Sequence, residues 1–519
     1  MAPEQRDSET VEGEGARPKS ASVPEPLGAE ARWRRLPGVG RFLGPGLAAV
    51  VLRGASGTYL VSVGGTGLAL LLHALLARWL GEAGYGSYAY ALNWLLLLGL
   101  LARLGLDTAQ VRFLAQYRVQ QDWAALRGLL RRGDLLAAAA GLALGALGAL
   151  ALALLEIDAG ERRVGWLACL TLAPAAVLGL RKGALQGLRQ VVTAQLPEGW
   201  VRTLVLMASV IAVAVATGTW GGIVDGTMLG RWLLPRSAEG EGSSVASAVE
   251  ASASPWWAMA LYLLATVVAL GYGTWALRRG LRRELPPKAR AEPRRYLTRR
   301  WLRVSTPLLL VAGMRQLLNQ TDVLLVGAVL GRPEAGLYFI AAKLSQLVSF
   351  GLNAANSIAA PLISETHTAD QRQELQRVVT LAARLATLAA VVVAVGILVL
   401  RRPLLGLFGE GFLAAEPALW WLVAGQLVNA ATGPVGQLLN MTGHQDANAR
   451  ILGSITLANL LLNLPAILAF GLPGAAAVTS ALIAVKNLWT WWEVRRRLGV
   501  SSFLIPLGAR SPSPSGDES

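Results

Sequence analysis

The sequence predicts an all-α integral membrane protein, in which twelve spanning helices form two six-helix bundles related by an internal repeat. Three observations predict this fold class. Of the 519 residues, 54% are hydrophobic and only 15% are charged, whereas soluble domains carry about a quarter charged residues. A short motif recurs at half the chain length, between apolar runs, and the arginines concentrate in the loops that connect the runs.

The apolar runs have the length of about 20 residues that a membrane-spanning helix needs. Six fall in each half of the chain, at 56–79, 84–103, 134–155, 164–181, 197–217 and 256–277, and at 303–330, 334–363, 378–400, 415–440, 446–471 and 473–493. Several are rich in Gly, Ala, Ser and Thr, which permit close helix contacts in lipid.

The runs and the polar segments around them divide the chain into five regions. We expect a disordered cytoplasmic tail at 1–43, an N-terminal six-helix bundle at 44–280, a basic cytoplasmic linker at 281–300, a C-terminal six-helix bundle at 301–498 and a flexible cytoplasmic tail at 499–519. A loop at about 218–255, rich in Gly, Ser and Ala, is expected to be flexible and to lie outside the cell.

The internal repeat consists of three residues that recur with one offset of 250 positions. They form structural turns between apolar runs. The first copy is Gly81, Gly86 and Tyr88, and the second is Gly331, Gly336 and Tyr338. Six spans per half keep both halves in one orientation, so the repeat is parallel and related by an axis along the membrane normal. Such designs usually place a substrate path between the halves.

Loop arginines set the orientation. Residues 278–303 contain a dense run of Arg and Lys opposed only by Glu284 and Glu292, so this connection is predicted to be cytoplasmic. An even number of spans then puts both termini in the cytoplasm of a multi-pass protein of the bacterial inner membrane. The net charge of +16 accordingly indicates topology and contact with anionic lipid rather than nucleic-acid binding.

Ionisable groups within spans are costly and usually face a cavity or a partner. In the seventh span Arg315, Asn319 and Asp322 are spaced i, i+4 and i+7 and so share one helix face. In the eighth span Lys343 and Asn353 belong to a polar stripe at helical spacing. We predict that Arg315, Lys343, Asn319 and Asn353 contact the substrate.

The first half carries a weaker version of this pattern. Under the repeat, Lys343 corresponds to Asn93, which we also assign to the substrate path, and His73 is the nearest polar residue in the first span. His73 and Asp322 are candidates for ion pairing or for ion coupling.

Two interpretations of the charges compete. Asp322 could pair with Lys343 or Arg315 and lock helices together. Alternatively, Arg315 and Lys343 keep a positive potential in a wet central cavity that receives an anionic substrate. The two overlap if Asp322 holds Lys343 while Arg315 stays free.

Motifs for bond chemistry are missing from the sequence. It has no GxxxxGK[ST], HExxH or GxSxG motif, one cysteine, and three scattered histidines. We therefore expect no enzyme, no metal site and no cofactor. The sequence leaves open whether a proton gradient, a sodium gradient or the membrane potential supplies energy.

Two segments resemble one known family. The stretches "LARWLGEAGYGSYAYALNWLLLLGLLARLGLDTAQVRFLAQY" and "LNQTDVLLVGAVLGRPEAGLYFIAAKLSQLVSFGLNAANSIAAPLISE" resemble polysaccharide biosynthesis proteins of the Wzx type, oligosaccharide flippases of the multidrug/oligosaccharidyl-lipid/polysaccharide exporter superfamily. The segment "AATGPVGQLLNMTGH" resembles the family's tenth span.

The resemblance implies a MATE-like fold of two six-helix bundles in a V around a cationic cavity. It implies that a polyprenyl-diphosphate-linked oligosaccharide moves from the inner to the outer leaflet by alternating access, for surface polysaccharide synthesis. The expected partners are this anionic glycan lipid, the bilayer and a polysaccharide polymerase complex, with the chain itself a monomer. The alternatives are a cation-coupled drug antiporter of the same fold and a membrane glycan polymerase or ligase.

Overall fold

The computed structural model describes residues 45–217, 254–287, 289 and 292–501. The predictions for the tail 1–43, for residues 502–519 of the tail 499–519 and for nearly all of the loop 218–255 lie outside these residues. Within the described part the regular structure is entirely helical, as the sequence predicts. The described residues from 55 onward belong to one compact unit, so the division into bundles at 44–280 and 301–498 stays a prediction.

The helices are numbered here in chain order. They are α1 (Pro45–Ala102), α2 (Leu106–Val119), α3 (Trp123–Leu154), α4 (Ala159–Gly187), α5 (Val191–Leu196), α6 (Arg202–Ala216), α7 (Pro255–Glu284), α8 (Thr298–Val329), α9 (Arg332–Gln346), α10 (Phe350–Thr368), α11 (Arg372–Val399), α12 (Arg401–Gly406), α13 (Glu416–Ala431), α14 (Val435–Met441) and α15 (Gln445–Leu498). A π-helical turn, Pro197–Val201, connects α5 to α6, and 3₁₀ turns occupy Leu347–Ser349 and Glu410–Ala415.

Nine helical segments of the described chain are long and apolar enough to cross a membrane. Two of them, Val61–Ala102 and Gln445–Leu498, have 42 and 54 residues, about twice the length that one crossing needs. Both are kinked at a glycine with positive φ, Gly81 and Gly471. Helix α8 is not among the nine. The protein is thus a multi-pass helical membrane protein, and the exact count of twelve spans stays a prediction.

Small residues bring neighbouring helices into close contact. Cβ atoms built on Gly141 and Gly145 of α3 would lie 2.7 Å from Ala173 Cα and 2.6 Å from the Cys169 carbonyl oxygen of α4. The i, i+4 glycines therefore let two backbones touch, as the small-residue composition of the spans predicts.

The two copies of the repeated motif meet each other. Gly81 and Gly331 both adopt a positive φ, 67° and 126°. A Cβ on Gly336 would lie 3.0 Å from Gly86 Cα, and a Cβ on Gly86 would overlap the backbone of Arg332. We call this contact of bare backbones the glycine seam.

Polar contacts between the halves surround the glycine seam. The Arg332 guanidinium forms an ion pair with Glu161 at 3.1 Å and lies 3.7 Å from the centre of the Tyr90 ring. Arg78 donates to the carbonyl oxygens of Leu407, at 2.7 Å, and Gly406, at 2.9 Å. Helices of both halves are thus joined on this side of the molecule, which we call the seam side.

The basic connection between the halves lies on the other side, the linker side. There Arg127 donates to the carbonyl oxygens of Ala289, at 2.9 Å, and Glu292, at 3.0 Å. Arg295 forms an ion pair with Asp122, the residue that caps α3. The linker is therefore attached to the loop between α2 and α3.

The glycine seam leads to a first prediction. Gly86→Ala should lower the melting temperature of the purified protein by a few degrees, because the added methyl overlaps the backbone of Arg332 and overpacking costs about 1–3 kcal/mol. The control is Gly99→Ala on the same helix, where the added Cβ meets no atom within 4 Å. Equal melting temperatures for the two variants would contradict the seam.

Candidate functional site

A cavity of about 1150 Å³ lies between the two halves. Its lining residues come from α1, from α4 to α6 and, in the second half, from α8, α9, α10, α13, α14 and α15. It extends to Lys182 and Asn440, which lie near the linker-side ends of α4 and α14. The lining therefore extends toward the linker side, where the halves also meet, since a Cβ on Gly105 would overlap the Ser305 carbonyl oxygen.

Four cations face the cavity without a carboxylate partner among the described residues. They are Arg202, Arg315, Lys343 and Lys486, and no described carboxylate oxygen lies within 4 Å of their nitrogens. Arg202 lies 5.1 Å from the Tyr262 ring centre, and Lys343 lies 5.1 Å from that of Phe339. The described lining therefore has a surplus of positive charge in its interior.

The carboxylate of Glu198 is matched by neighbouring cations. It lies 3.2 Å from the Lys182 ammonium and 3.7 Å from the Arg103 guanidinium. The π-helical turn Pro197–Val201 presents this residue to the cavity, and π-helical turns are frequent at functional sites. Glu198 also attracts Arg202, and Arg315, Lys343 and Lys486 stay without a carboxylate partner among the described residues.

The same turn is anchored against α1. Trp200 donates its indole N–H to the Val61 carbonyl oxygen at 2.9 Å. A Cβ on Gly64 would lie 2.8 Å from the indole ring, so the absence of a side chain there makes room for Trp200. This packing fixes the wall of the cavity that the first half contributes.

Asp322 is held by neutral groups, which overturns the interpretation that it pairs with Lys343 or Arg315. The carboxylate is 4% exposed and accepts four hydrogen bonds at 2.8–3.1 Å, from Tyr338 Oη, Asn459 Nδ2, Asn463 Nδ2 and Thr479 Oγ1. The pairing prediction failed because these donors come from α9 and α15 and their convergence on α8 depends on tertiary packing.

Two further atoms near Asp322 lack partners. The side-chain carbonyl oxygens of Asn459 and Asn463 are buried and accept no hydrogen bond among the described residues. Buried polar atoms are rarely left unpaired. The cluster therefore surrounds one carboxylate with two hydroxyls and two amides, whose own oxygens are free among the described residues.

The structure brings most of the predicted substrate residues together. Arg315, Asn319, Lys343 and Asn353 all line the cavity. Arg315, Asn319 and Asn353 are exposed to it, and Lys343 is half-buried.

Asn93 and His73 differ from this group. Asn93 is fully buried, donates to the Ala89 carbonyl oxygen at 2.7 Å, and is outside the lining, so the structure does not support its assignment to the substrate path. The repeat aligns it with Lys343, but the two halves do not present this position in the same way. His73 does line the cavity, 3.2 Å from the Tyr85 hydroxyl and edge-on to the Phe339 ring.

Sequence reasoning missed two of the four unpaired cations. Lys486 is a lone lysine in the twelfth apolar run, and Arg202 lies in the fifth. Both are ionisable residues inside predicted spans, the signal that identified Arg315 and Lys343. Each also shares a polar helix face, Lys486 with Thr479 and Thr490 and Arg202 with Glu198, so the same pattern could have found them.

The helical fold and the cavity between two related halves define a membrane transport protein. Solved structures share this fold. An inward-facing multidrug resistance MATE family transporter of the MOP superfamily matches with a TM-score of 0.63 and 12% identity, over 85% of this chain and 98% of that one. The lipid II flippase MurJ, in an inward closed conformation, matches with a TM-score of 0.60 and 12% identity, over 84% of this chain and 87% of that one.

Sequence comparison gives the family. Two family models, both described as polysaccharide biosynthesis protein, match residues 51–225 and 252–417, and the chain belongs to this family. A curated relative, the probable low-salt glycan biosynthesis flippase Agl15 of Haloferax volcanii, is 26% identical over 168 residues, 32% of this chain. The match spans 36% of that relative's length. These matches are to transporters and flippases rather than enzymes.

The Asp322 cluster leads to a second prediction. Asp322→Ala should lower the free energy of unfolding by about 2–4 kcal/mol, because several buried donors lose their acceptor. Asn319→Ala is the control, since Asn319 lies on the same helix and is exposed to the cavity. Thermal or denaturant unfolding of the purified variants measures the difference. Similar losses in both variants would show that Asp322 does not organise the cluster.

Proposed function

We propose that the protein is a flippase that moves a polyprenyl-diphosphate-linked oligosaccharide from the inner to the outer leaflet of the cell membrane. The observation that carries this proposal is the surplus of positive charge in the cavity, at Arg202, Arg315, Lys343 and Lys486. Charges inside a membrane protein are costly, and they usually mark a substrate or ion path. An anionic passenger would supply the opposite charge.

The chemistry of a diphosphate fits these groups. Guanidinium groups bind phosphate oxygens through paired N–H donors, and ammonium groups act as compact point charges. Arg315 and Lys486 lie on different helices, α8 and α15, and face the same space closely enough for their charges to repel. A diphosphate between them would relieve that repulsion.

The contacts between the halves support a proposal of transport by alternating access. With the linker side cytoplasmic, the cavity receives substrate from the inner leaflet while the seam side is closed. Opening to the outer leaflet requires the glycine seam to part, together with the Arg332–Glu161 ion pair and the Arg78 hydrogen bonds.

The names of similar proteins agree with this proposal. The curated relative is named as a probable glycan biosynthesis flippase, and MurJ as a lipid II flippase. A multidrug antiporter would instead need accessible carboxylates for cationic drugs. In the described lining Glu198 is paired with cations, and Asp322 is enclosed by hydrogen-bond donors.

The proposed function leads to a third prediction. Arg315→Ala and Lys486→Ala should each lower the rate of flipping by at least about tenfold, the effect of losing one charged hydrogen bond to a phosphate. The rate is measured in proteoliposomes with undecaprenyl diphosphate carrying a short glycan. Arg315→Lys, which keeps the charge, should retain more activity than Arg315→Ala.

The control for this experiment is Arg384→Ala. Arg384 is exposed on α11 and does not line the cavity, so its loss should leave the rate unchanged. Wild-type rates in both cavity variants would refute the assignment of these cations to the substrate.

The Asp322 cluster is a candidate for ion coupling. Oxygen atoms of carboxylates, amides and hydroxyls are the ligands that hard cations take. Asp322, Asn459, Asn463 and Thr479 offer such atoms, and the two free amide oxygens need only turn toward a bound ion. A sodium ion or a proton on Asp322 would each balance its buried charge.

A fourth prediction separates these two ions. If sodium binds, replacing choline chloride by sodium chloride at constant ionic strength should raise the melting temperature of the wild type and leave Asp322→Asn unchanged, because a ligand stabilises the state that binds it. If a proton binds, the wild type should instead show a pH-dependent stability that Asp322→Asn lacks. A wild type that responds to neither would exclude coupling at this cluster.

A further inference from the structure

One wall of the cavity is built from side-chain amides of the second half. These residues, which we call the amide face, carry no charge and are Gln346, Asn353, Asn356, Gln426, Asn429, Gln437, Asn440, Asn448 and Asn487. They belong to α9, α10, α13, α14 and α15. The concentration of one chemical type on five helices makes this wall distinct from the cationic positions.

Part of the amide face is fixed in place by its own hydrogen bonds. Gln426 Oε1 accepts from the Ser349 hydroxyl at 2.5 Å and from Asn429 Nδ2 at 3.2 Å. Asn487 Nδ2 donates to Asn429 Oδ1 at 2.9 Å. An amide has two N–H donors as well as its oxygen, so these bonds orient the groups without using up their capacity.

Other members of the amide face have capacity to spare. No side-chain hydrogen bond of Gln346 or Asn353 is recorded among the described residues, although both are exposed to the cavity. The Asn356 side-chain oxygen is buried and has no partner there. These groups face the cavity and would be satisfied by a polar ligand or by water.

The amide face lies next to two of the cations, Lys343 and Lys486. Gln346 follows Lys343 by one helical turn, and Asn353 and Asn356 lie further along α10. The ten residues from Lys343 to Asn353 extend about 15 Å along a helix. A ligand with a charged end and a neutral polar chain would meet both surfaces at once.

We infer that the amide face is the binding subsite for the sugars of the passenger, and that these sugars are uncharged and bear hydroxyl or acetamido groups. This inference rests on the proposed function and adds the class of glycan. Amides donate and accept hydrogen bonds without favouring either sign of charge, which matches neutral sugars. Polar groups held in place on a cavity wall give a pocket its specificity.

The test measures equilibrium binding of two radiolabelled probes to the purified full-length protein in lipid nanodiscs. One probe is undecaprenyl diphosphate, and the other is the same lipid carrying a neutral disaccharide of N-acetylhexosamine. The variants Gln346→Met and Asn353→Leu remove an amide while nearly keeping the side-chain shape. Ser357→Ala is the control, because it removes a hydroxyl on the same helix that does not line the cavity.

The wild type is expected to bind the glycosylated probe more tightly than the bare lipid. Each amide variant should weaken binding of the glycosylated probe about fivefold, the effect of one lost hydrogen bond, and leave binding of the bare lipid unchanged. Unchanged binding of the bare lipid also shows that the variant is folded. Arg315→Ala should weaken binding of both probes.

Three results would overturn the inference. In the first, the wild type binds the two probes equally. In the second, the amide variants weaken binding of both probes alike. In the third, they weaken binding of neither probe, and the amide face then contacts only water. Failure of Arg315→Ala to weaken either probe, with amide variants that still discriminate, would instead contradict the proposed function.

Discussion

The main constraint on this structure is the energetic cost of positive charge inside a membrane-spanning protein. Arg202, Arg315, Lys343 and Lys486 face one enclosed space and have no described carboxylate within ion-pair distance. Such groups are tolerated only where water or an opposite charge reaches them. The cavity, its polar walls and its extension to the linker side are what make these four side chains compatible with a membrane.

The two halves of the repeat have diverged in what they contribute to the cavity. The second half supplies three of the four cations, most of the amides and Asp322. The first half contributes Arg202 and the compensated Glu198 on a π-helical turn, with Trp200 filling the space beside Gly64. An internal repeat therefore preserves the helix arrangement, while the chemistry of equivalent positions changes, as it has between Lys343 and Asn93.

Much of the fold was predictable from the sequence, because the length of each apolar run and the position of each loop arginine are visible in short stretches of the chain. The repeated glycines identified the two related halves, and ionisable residues at helical spacing identified Arg315 and Lys343. The partners of Asp322 were not predictable. Asn459, Asn463 and Thr479 follow it by more than 130 positions, and only packing brings them to α8. Asn93 was assigned to the substrate path because the repeat aligns it with Lys343, but such an alignment cannot tell which way a side chain points.

The meeting of Gly86 and Gly336 has a consequence for the rate of the transport cycle. At these two positions main chain meets main chain, so this contact can separate and rejoin without any rotamer of Gly86 or Gly336 having to freeze. The balance between the inward-open and outward-open states then depends on the side chains around this contact, such as the Tyr85 and Phe339 rings and the Arg332–Glu161 pair. Single substitutions around this contact could therefore change the rate of the transport cycle without altering the cavity residues that select the substrate.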